Sequence, residues 1–294
     1  MSQTVEFARP RRSVLYMPAS RASALEKAKS LPADALIFDL EDAVAPDAKV
    51  DAREKAVGAA LSAAYGRREV AIRANGLDTP WGREDLQAIA RSGADAAVIP
   101  KVESEKMLEQ ATSILVEAGA PASMMLWAMI ETPLGVLRAE EIAANRRLAV
   151  MVMGTSDLAV DLMASHTPER NPFLTSFGLV LLAARAHGKA ALDGVHLNLS
   201  NDEEFAAHCR QAADMGFDGK TVIHPKQLEP ANACFGPDDN AIQNAEKIVQ
   251  AYETAIAAGQ GVATLDGKLI ENLHAAQARR TLAQAAAIAA LRGN

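Results

Sequence analysis

The chain has few cysteines, few aromatic residues and no long apolar run, and each shortage excludes a class of protein. Cys209 and Cys234 are the only two cysteines among 294 residues. They are too few for a disulfide framework and lack the short spacing of a zinc site, which favours a reducing compartment. No window has about 18 uninterrupted apolar residues, and the N-terminal MSQTVEFARPRRS lacks the apolar core of a secretory signal. We therefore expect a cytoplasmic protein that does not associate with membranes.

Basic residues are also scarce. The 30 Lys and Arg residues are outnumbered by 37 Asp and Glu residues, for a formal net charge of -7. A general nucleic-acid binder needs a concentrated basic surface, so this class is excluded, and any polyanionic ligand must be met by local Arg and Lys. Hydrophobic residues make up 49% of the chain and aromatic residues only 4%, which predicts a large core of Ala, Val, Leu and Ile.

Short apolar runs alternate with stretches of helical periodicity along most of the chain. The runs predict strands at Ser13–Met17, Ala35–Leu40, Glu69–Ala74, Ala96–Pro100, Met124–Ile130, Leu148–Met153, Gly194–Leu197 and Lys220–Ile223. The stretches between them predict helices at Arg21–Ser30, Ala48–Ala64, Arg83–Ser92, Ser104–Ala118, Arg138–Ala144, Phe177–His187 and Glu203–Met215. Such alternation is typical of an α/β protein with a parallel sheet. Eight repeats without a long linker favour a closed TIM (β/α)8 barrel over a doubly wound sheet.

The pattern changes after Pro230. From there the sequence predicts helices only, with a glycine-containing break at GQGVATLDGKL and an Ala-rich packing helix at 275–290. We therefore predict a catalytic barrel over residues 1–230 and a C-terminal helical extension over residues 231–294. The extension is expected to cover the barrel mouth as a lid or to contact a neighbouring subunit.

Acidic side chains and one arginine stand where the predicted strands end, which is the catalytic face of this fold. They are Glu41, Asp42, Arg73, Glu131 and Asp157. Carboxylates gathered in one mouth raise one another's pKa unless a cation neutralises them, and Mg2+ (or Mn2+) prefers such oxygen ligands. The sequence therefore predicts a metal site on Glu131 and Asp157.

Each of these residues also has a plainer interpretation. A carboxylate just after a strand is a common helix N-cap, which applies to Glu131 and Asp157. The planar fork of Arg73 suits a substrate carboxylate or a thioester oxygen, but also a structural ion pair with Glu41 or Asp42. Both roles of Arg73 are compatible, because a neighbouring carboxylate can hold the guanidinium in place for catalysis.

Several motifs together resemble one known family. They are RRSVLYMPASRASALEKAKSLPADALIFDLEDAVAP, VAIRANG, AVIPKVES, AMIETPLGV, VMGTSDLAVDL, LDGVHLNLSN and GFDGKTVIHPKQ. The chain resembles, nearly end to end, the citrate lyase β-subunit-like group of the HpcH/HpaI aldolase superfamily, which includes malyl-CoA lyases and malyl-CoA thioesterases. The resemblance implies a TIM barrel in homotrimers or homohexamers, Mg2+ on Glu131 and Asp157, and contact between Arg73 and the substrate acyl group.

The resemblance also implies further site residues. The family's CoA-binding positions fall on Tyr16, Arg21 and Lys27, although the last two also fit an ordinary solvated helix face. Lyase members carry an aspartate that enters a neighbouring subunit's active site, and the aligned residue here is Glu271. Its extra methylene moves the carboxylate by about one bond, and catalytic geometry is sensitive to roughly an ångström. Glu271 is expected to act in catalysis, with Glu41 and Asp42 holding Arg73.

These expectations define an enzyme that acts on small acyl-CoA substrates. The leading interpretation is a Mg2+-dependent lyase that cleaves a malyl-CoA or citramalyl-CoA type thioester into acetyl-CoA, or a homologue, and a 2-oxo acid. The alternatives are a (3S)-malyl-CoA thioesterase that releases malate and CoA, or a citrate lyase β-like subunit. Cleavage of a free 4-hydroxy-2-oxo acid and a non-enzymatic scaffold role are further rivals. His196 and His224 end the last predicted strands, and we expect His224 to be structural.

Overall fold

The computed structural model describes residues 9–293. The expectation that the N-terminus lacks a secretory signal therefore falls largely on residues 1–8, outside the described residues. Within residues 9–293 eight parallel strands close into a barrel in chain order, with the eighth pairing back to the first. The barrel strands are β1 Ser13–Pro18, β2 Ala35–Asp39, β3 Glu69–Arg73, β4 Ala96–Ile99, β5 Met125–Ile130, β6 Leu148–Met153, β7 Ala190–Asp193 and β8 Gly219–Val222. The predicted TIM barrel is confirmed.

Helices follow the strands in the order expected of βα units. They are α1 Ala22–Ala28, α2 Lys49–Leu61, α3 Gly82–Ile89, α4 Glu105–Glu117, α5 Pro133–Leu137, α6 Ala139–Ala143, α7 Thr155–Asp161, α8 Leu174–Ala186, α9 Asp202–Met215, α10 Leu228–Phe235, α11 Asp239–Ala257 and α12 Asn272–Arg292. None of the helices within residues 9–293 combines the length and the apolar character needed to cross a bilayer.

The barrel interior is filled by small and medium side chains, as the low aromatic content predicts. Successive side chains of a strand point to opposite faces, so every second residue points inward. The inward core comprises Val14, Ala35, Ile37, Ala71, Ala96, Val98, Trp127, Met129, Val150, Val152 and Leu192. Trp127 is the largest member and is completely buried. This packed interior leaves the strand ends as the place for a site.

The seventh strand lies at Ala190–Asp193, so the prediction of a strand at Gly194–Leu197 is wrong. The sequence AALD has weak strand propensity, whereas GVHL contains a β-branched residue. AALD nevertheless forms the strand, because it pairs with β6 on one side and with β8 on the other. Its last residue, Asp193, is completely buried and binds Lys220 Nζ at 2.6 Å and Arg170 Nη1 at 2.7 Å. The ion pair with Lys220 links β7 to β8.

The contacts divide the chain into a barrel unit, Arg11–Asn232, and a second unit that includes residues 233–293. The second unit contains α11, α12 and an antiparallel hairpin of β9 Ala263–Leu265 and β10 Lys268–Ile270. The expectation of helices only is therefore wrong at the glycine-containing break. Asp266 and Gly267 have positive φ angles of 50° and 74°, which suits a two-residue hairpin turn. The division at 230/231 and the lid or subunit-contact role stay predictions.

Candidate active site

Along four of the strands, the apolar inward-facing residues are followed by a polar residue that also faces inward, at the barrel mouth. The core residues Ala35 and Ile37 are followed at the next inward position by Asp39, and Ala71 by Arg73. In the same way Val14 leads to Tyr16, and Met129 leads to Glu131. All four polar residues line one cleft of about 350 Å3. The period of two thus carries these side chains from the apolar interior to the catalytic face.

Arg73 and Asp39 form a bidentate ion pair in this cleft. Their backbones are direct neighbours in the register of β2 and β3. Arg73 Nε lies 2.6 Å from Asp39 Oδ1, and Nη2 lies 2.7 Å from Oδ2. Arg73 is 5% exposed and Asp39 2% exposed. Burial opposes ionisation, but the charge of Asp39 outweighs it and holds the pKa of Arg73 well above its ordinary value. The arginine is therefore a permanent, oriented cation.

Glu41 and Asp42 complete the surroundings of Arg73. Glu41 Oε2 lies 2.9 Å from Arg73 Nη1 as an ion pair that is not an aligned hydrogen bond, while Asp42 Oδ2 accepts from Nη1 at 3.1 Å. Burial raises the pKa of Glu41 to about 8, against the lowering effect of Arg73. The structure thus brings the expected carboxylates to Arg73, although Asp39 is its principal partner. Their catalytic role stays a prediction.

Glu131 is a buried carboxylate with no ion-pair partner in the part of the chain that the structure describes. It is 2% exposed, and its Oε1 accepts the backbone N–H of Lys101 at 2.8 Å. Burial raises the pKa of Glu131 to about 7, with Asp157 adding to the rise and the Lys101 N–H opposing it. A buried acid in this condition gains from a cation beside it.

Gly154 makes room for Glu131. It follows β6 at the N-cap position of α7, and a Cβ at this position would lie 2.3 Å from Glu131 Oε2 and 2.4 Å from Glu131 Cβ. Asp157, in the first turn of α7, lines the same cleft, and its Oδ1 lies 3.2 Å from Lys101 Nζ. The predicted metal ligands therefore face one cleft.

Among residues 9–293, no three His, Cys, Asp or Glu side chains converge as a ready-made metal cluster. Mg2+ does not need one, because it is commonly held by one or two carboxylates, with water and substrate oxygens completing its shell. Glu131 supplies a buried carboxylate without an ion-pair partner, and Asp157 supplies a partly exposed one. This pair fits a magnesium ion that shares its shell with a substrate.

Tyr16 lies at the mouth beside Arg73. Its ring centroid is 5.1 Å from Arg73 Cζ, and its hydroxyl donates to Met129 Sδ at 3.7 Å, a weak acceptor. Burial raises the pKa of Tyr16, so the hydroxyl keeps its proton at neutral pH. Tyr16 therefore offers a hydrogen-bond donor to a ligand in the cleft.

Arg21 and Lys27 are exposed on the first βα unit. Arg21 occupies the N-cap position of α1, and Lys27 lies in the last turn of the same helix. Their separation of six residues corresponds to about 9 Å along the helix axis. These side chains are open to solvent and to ligand phosphates alike, and their contact with CoA stays a prediction.

Glu271 belongs to the second unit, where it caps α12. Its side chain accepts from the backbone of His274, and its own N–H donates to His274 Nδ1 at 3.1 Å. His224 Nδ1 accepts from Lys226 N at 3.2 Å in a capping box, a contact that fits the expected structural role. His196 is buried, 3.2 Å from His208 between their Nδ1 atoms. The catalytic role of Glu271 stays a prediction.

Two site residues escaped the sequence interpretation. The sequence predicts Glu41 or Asp42 as the partner of Arg73 and not Asp39, although the place of Asp39 two residues after Ile37 marks it as inward-facing. Lys101, two residues after β4, is the second such residue. Its φ of 48° is left-handed for a residue other than glycine, and no sequence pattern signals this.

A parallel eight-stranded barrel that gathers carboxylates, an arginine and a tyrosine at the carboxyl ends of its strands is a barrel enzyme by fold and site. The chain belongs to the HpcH/HpaI aldolase/citrate lyase family, whose pattern matches residues 12–225. This confirms the resemblance drawn from the motifs.

Two related proteins and one solved structure show which members of the family this chain is similar to. The chain is 51% identical over 287 residues to the (3S)-malyl-CoA thioesterase of Cereibacter sphaeroides, covering 98% of this chain and 99% of the relative. It is 36% identical over 283 residues to citrate lyase subunit beta of Escherichia coli, covering 94% of each. Among solved structures, CitE from Mycobacterium tuberculosis in complex with magnesium, acetoacetate and coenzyme A matches with a TM-score of 0.77 and 28% identity, covering 95% of this chain and 99% of that one.

The close approach of Gly154 to Glu131 yields a test. Gly154→Ala is expected to displace the Glu131 carboxylate and to weaken divalent-cation binding at least about tenfold, measured by Mn2+ titration. Gly178→Ala is the matched control, because a Cβ at Gly178 meets nothing within 4 Å. Equal Mn2+ affinity in both variants would contradict the assigned role of Gly154.

The raised pKa values of Glu41 and Glu131 predict a pH-dependent stability without divalent cations. Between about 4.5 and 8 the folded protein binds more protons at these groups than the unfolded chain does. The free energy of unfolding therefore falls as the pH rises through this window, by a few kcal/mol. In urea unfolding, the free energy of unfolding of Glu131→Gln should fall less steeply with pH than that of the wild type. The variant Glu54→Gln, at an exposed residue, should follow the wild-type profile. Parallel profiles for all three proteins would be inconsistent with a strained Glu131 carboxylate.

Proposed function

We propose that this protein is a Mg2+-dependent enzyme that hydrolyses a malyl-CoA type thioester, releasing malate and CoA. The observation that carries the proposal is the cleft in which Glu131 and Asp157 face the oriented guanidinium of Arg73. Identity of 51% to a (3S)-malyl-CoA thioesterase along nearly the whole chain supports this substrate class and favours hydrolysis. The CitE complex with magnesium and coenzyme A supports the metal and the thioester carrier.

In the proposed reaction, Mg2+ held by Glu131 and Asp157 would act as a Lewis acid on oxygen atoms of the hydroxy-acyl group. Arg73 donates hydrogen bonds to the thioester carbonyl oxygen, where negative charge develops as the bond is attacked. Asp39 keeps the guanidinium aimed at this place. The ring of Tyr16 lies beside Arg73, and its hydroxyl supplies a second donor for the same charge. Because these donors are already oriented, little reorganisation accompanies the reaction.

Proton transfer needs a group that exchanges protons near neutral pH. Glu41, with its pKa raised to about 8, meets this condition and touches Arg73. Glu271 is the proposed base that activates the attacking water, from its own subunit or from a neighbouring one.

Arg21 and Lys27 are proposed to bind the CoA phosphates, because their exposed cations offset the acidic net charge locally.

Carbon–carbon cleavage is the second candidate. The family includes aldolases and citrate lyase, and citrate lyase subunit beta is 36% identical to this chain. The same cleft would bind the same thioester, and Glu271 would remove the substrate's hydroxyl proton instead of activating water. Hydrolysis and cleavage therefore differ in what Glu271 acts on, not in how the acyl group is held.

We further propose that the protein is a homo-oligomer, a trimer or a hexamer, in the cytoplasm. Large apolar side chains are exposed on the adjacent helices α5 and α8, among them Leu137 at 76% and Leu182 at 71%. Exposed apolar clusters of this kind mark contact surfaces. A content of only two cysteines, Cys209 and Cys234, supports a reducing compartment.

The reaction is tested with purified protein, (3S)-malyl-CoA and Mg2+. Hydrolysis gives free thiol and malate without glyoxylate, whereas carbon–carbon cleavage gives glyoxylate and acetyl-CoA with no free thiol. Glu131→Gln and Asp157→Asn should each lower the rate by more than about hundredfold. Asp161→Asn, one turn further along α7, is the matched control and should stay near wild type. Full activity of both ligand variants, or of protein treated with EDTA, would refute the metal site.

The oligomer is tested by light scattering coupled to size-exclusion chromatography. The wild-type mass should be a threefold or sixfold multiple of the chain mass. The double variant Leu137→Glu/Leu182→Glu should lower it, because charges at an apolar contact are costly to bury. A monomeric wild-type protein would rule out the assembly.

A further inference from the structure

A single lysine contacts both side chains that we propose as metal ligands. Lys101 follows β4, and its backbone N–H donates to Glu131 Oε1 at 2.8 Å. Its ammonium group Nζ lies 3.2 Å from Asp157 Oδ1. Asp157 is thus neutralised by Lys101 in a protein without metal, while Glu131 receives only a neutral donor from it.

The backbone of Lys101 is held in a conformation that its side chain disfavours. Its φ of 48° lies in the left-handed region, which residues other than glycine seldom adopt. Hydrogen bonds from two consecutive residues maintain it, since Lys101 N–H donates to the side chain of Glu131, just after β5, and Val102 N–H donates to Met129 O in β5 at 3.1 Å. Such strain persists only where surrounding contacts enforce it, and it clusters at functional sites.

We propose that the Lys101 ammonium is a built-in counter-cation that competes with the divalent ion for Asp157 and so lowers the metal affinity of the site. This inference rests on the proposed metal site. The charge of a lysine next to a carboxylate opposes the arrival of a second cation at that carboxylate. The Lys101 side chain is 55% exposed and has a flexible stem, so it can leave Asp157 when the metal binds.

The competition gives the site a function that a permanent ion pair lacks. Without metal, the lysine offsets repulsion between Asp157 and the other carboxylates of the cleft. With metal, it is released toward solvent at the mouth of a site that receives an anionic substrate. The affinity for the metal is thereby kept moderate, which favours binding of metal and substrate together.

The test is the dissociation constant of Mn2+ or Mg2+, measured by calorimetry at about pH 8 and low ionic strength. Lys101→Met keeps the apolar stem and removes the charge, and it should bind the metal about threefold to tenfold more tightly. The gain should shrink as salt is added, because salt screens the charge. Lys101→Arg should stay near wild type. Lys106→Met removes an exposed lysine from α4 and serves as the matched control, with an unchanged constant.

Lys101→Gly guards against a misfolded variant. Glycine accepts the left-handed backbone, keeps the N–H that binds Glu131 and removes the ammonium, so it should show the same tighter binding. Affinity equal to or weaker than wild type in both Lys101→Met and Lys101→Gly would overturn the role of Lys101 and leave the metal site intact. Absence of saturable metal binding by the wild-type protein would instead overturn the metal site, and this inference with it.

Discussion

The bidentate ion pair between Arg73 and Asp39 organises the mouth of the barrel. Both side chains are almost fully buried, and removing one partner of a buried pair costs about 3–5 kcal/mol because the other charge is left without compensation. The pair holds the guanidinium in one orientation over Tyr16 and beside Glu41. The other groups of the site surround a guanidinium that keeps both its charge and its orientation.

Charge balance then governs the remainder of the cleft. Arg73 forms its ion pairs with Asp39, Glu41 and Asp42, and the described residues show none between Arg73 and Glu131 or Asp157. Burial raises the pKa of Glu131, and Asp157 takes Lys101 as its partner. An excess of buried negative charge around one fixed arginine is a physical reason for a divalent cation on this side of the cleft. The same excess explains why an additional lysine is useful before the metal arrives.

Much of the fold followed from local pattern. The alternation of apolar runs with helical stretches predicted the barrel, because each βα unit must bury one strand and one helix face whatever the neighbouring units are. The position of the seventh strand could not be predicted from local pattern. The segment Ala190–Asp193 lacks residues with strong strand propensity and becomes a strand through its partners on both sides. The hairpin at 263–270 was hidden for a similar reason, since three-residue strands are too short for a periodic signal.

By itself, the sequence determined which chemistry the barrel mouth contains, because residues that end inward-facing series must emerge at the catalytic face. Arg73 and Glu131 were predicted in this way, Asp157 was predicted from its place just after the sixth strand, and the motifs placed all three in a family. Tertiary structure alone decided how these groups share their charges. Asp39 rather than Glu41 is the principal partner of Arg73 because the register of β2 and β3 sets them side by side. Lys101 reaches both Glu131 and Asp157 because the hydrogen bonds that Lys101 and Val102 donate to Glu131 and Met129 maintain a left-handed turn, and no local sequence pattern predicts such contacts.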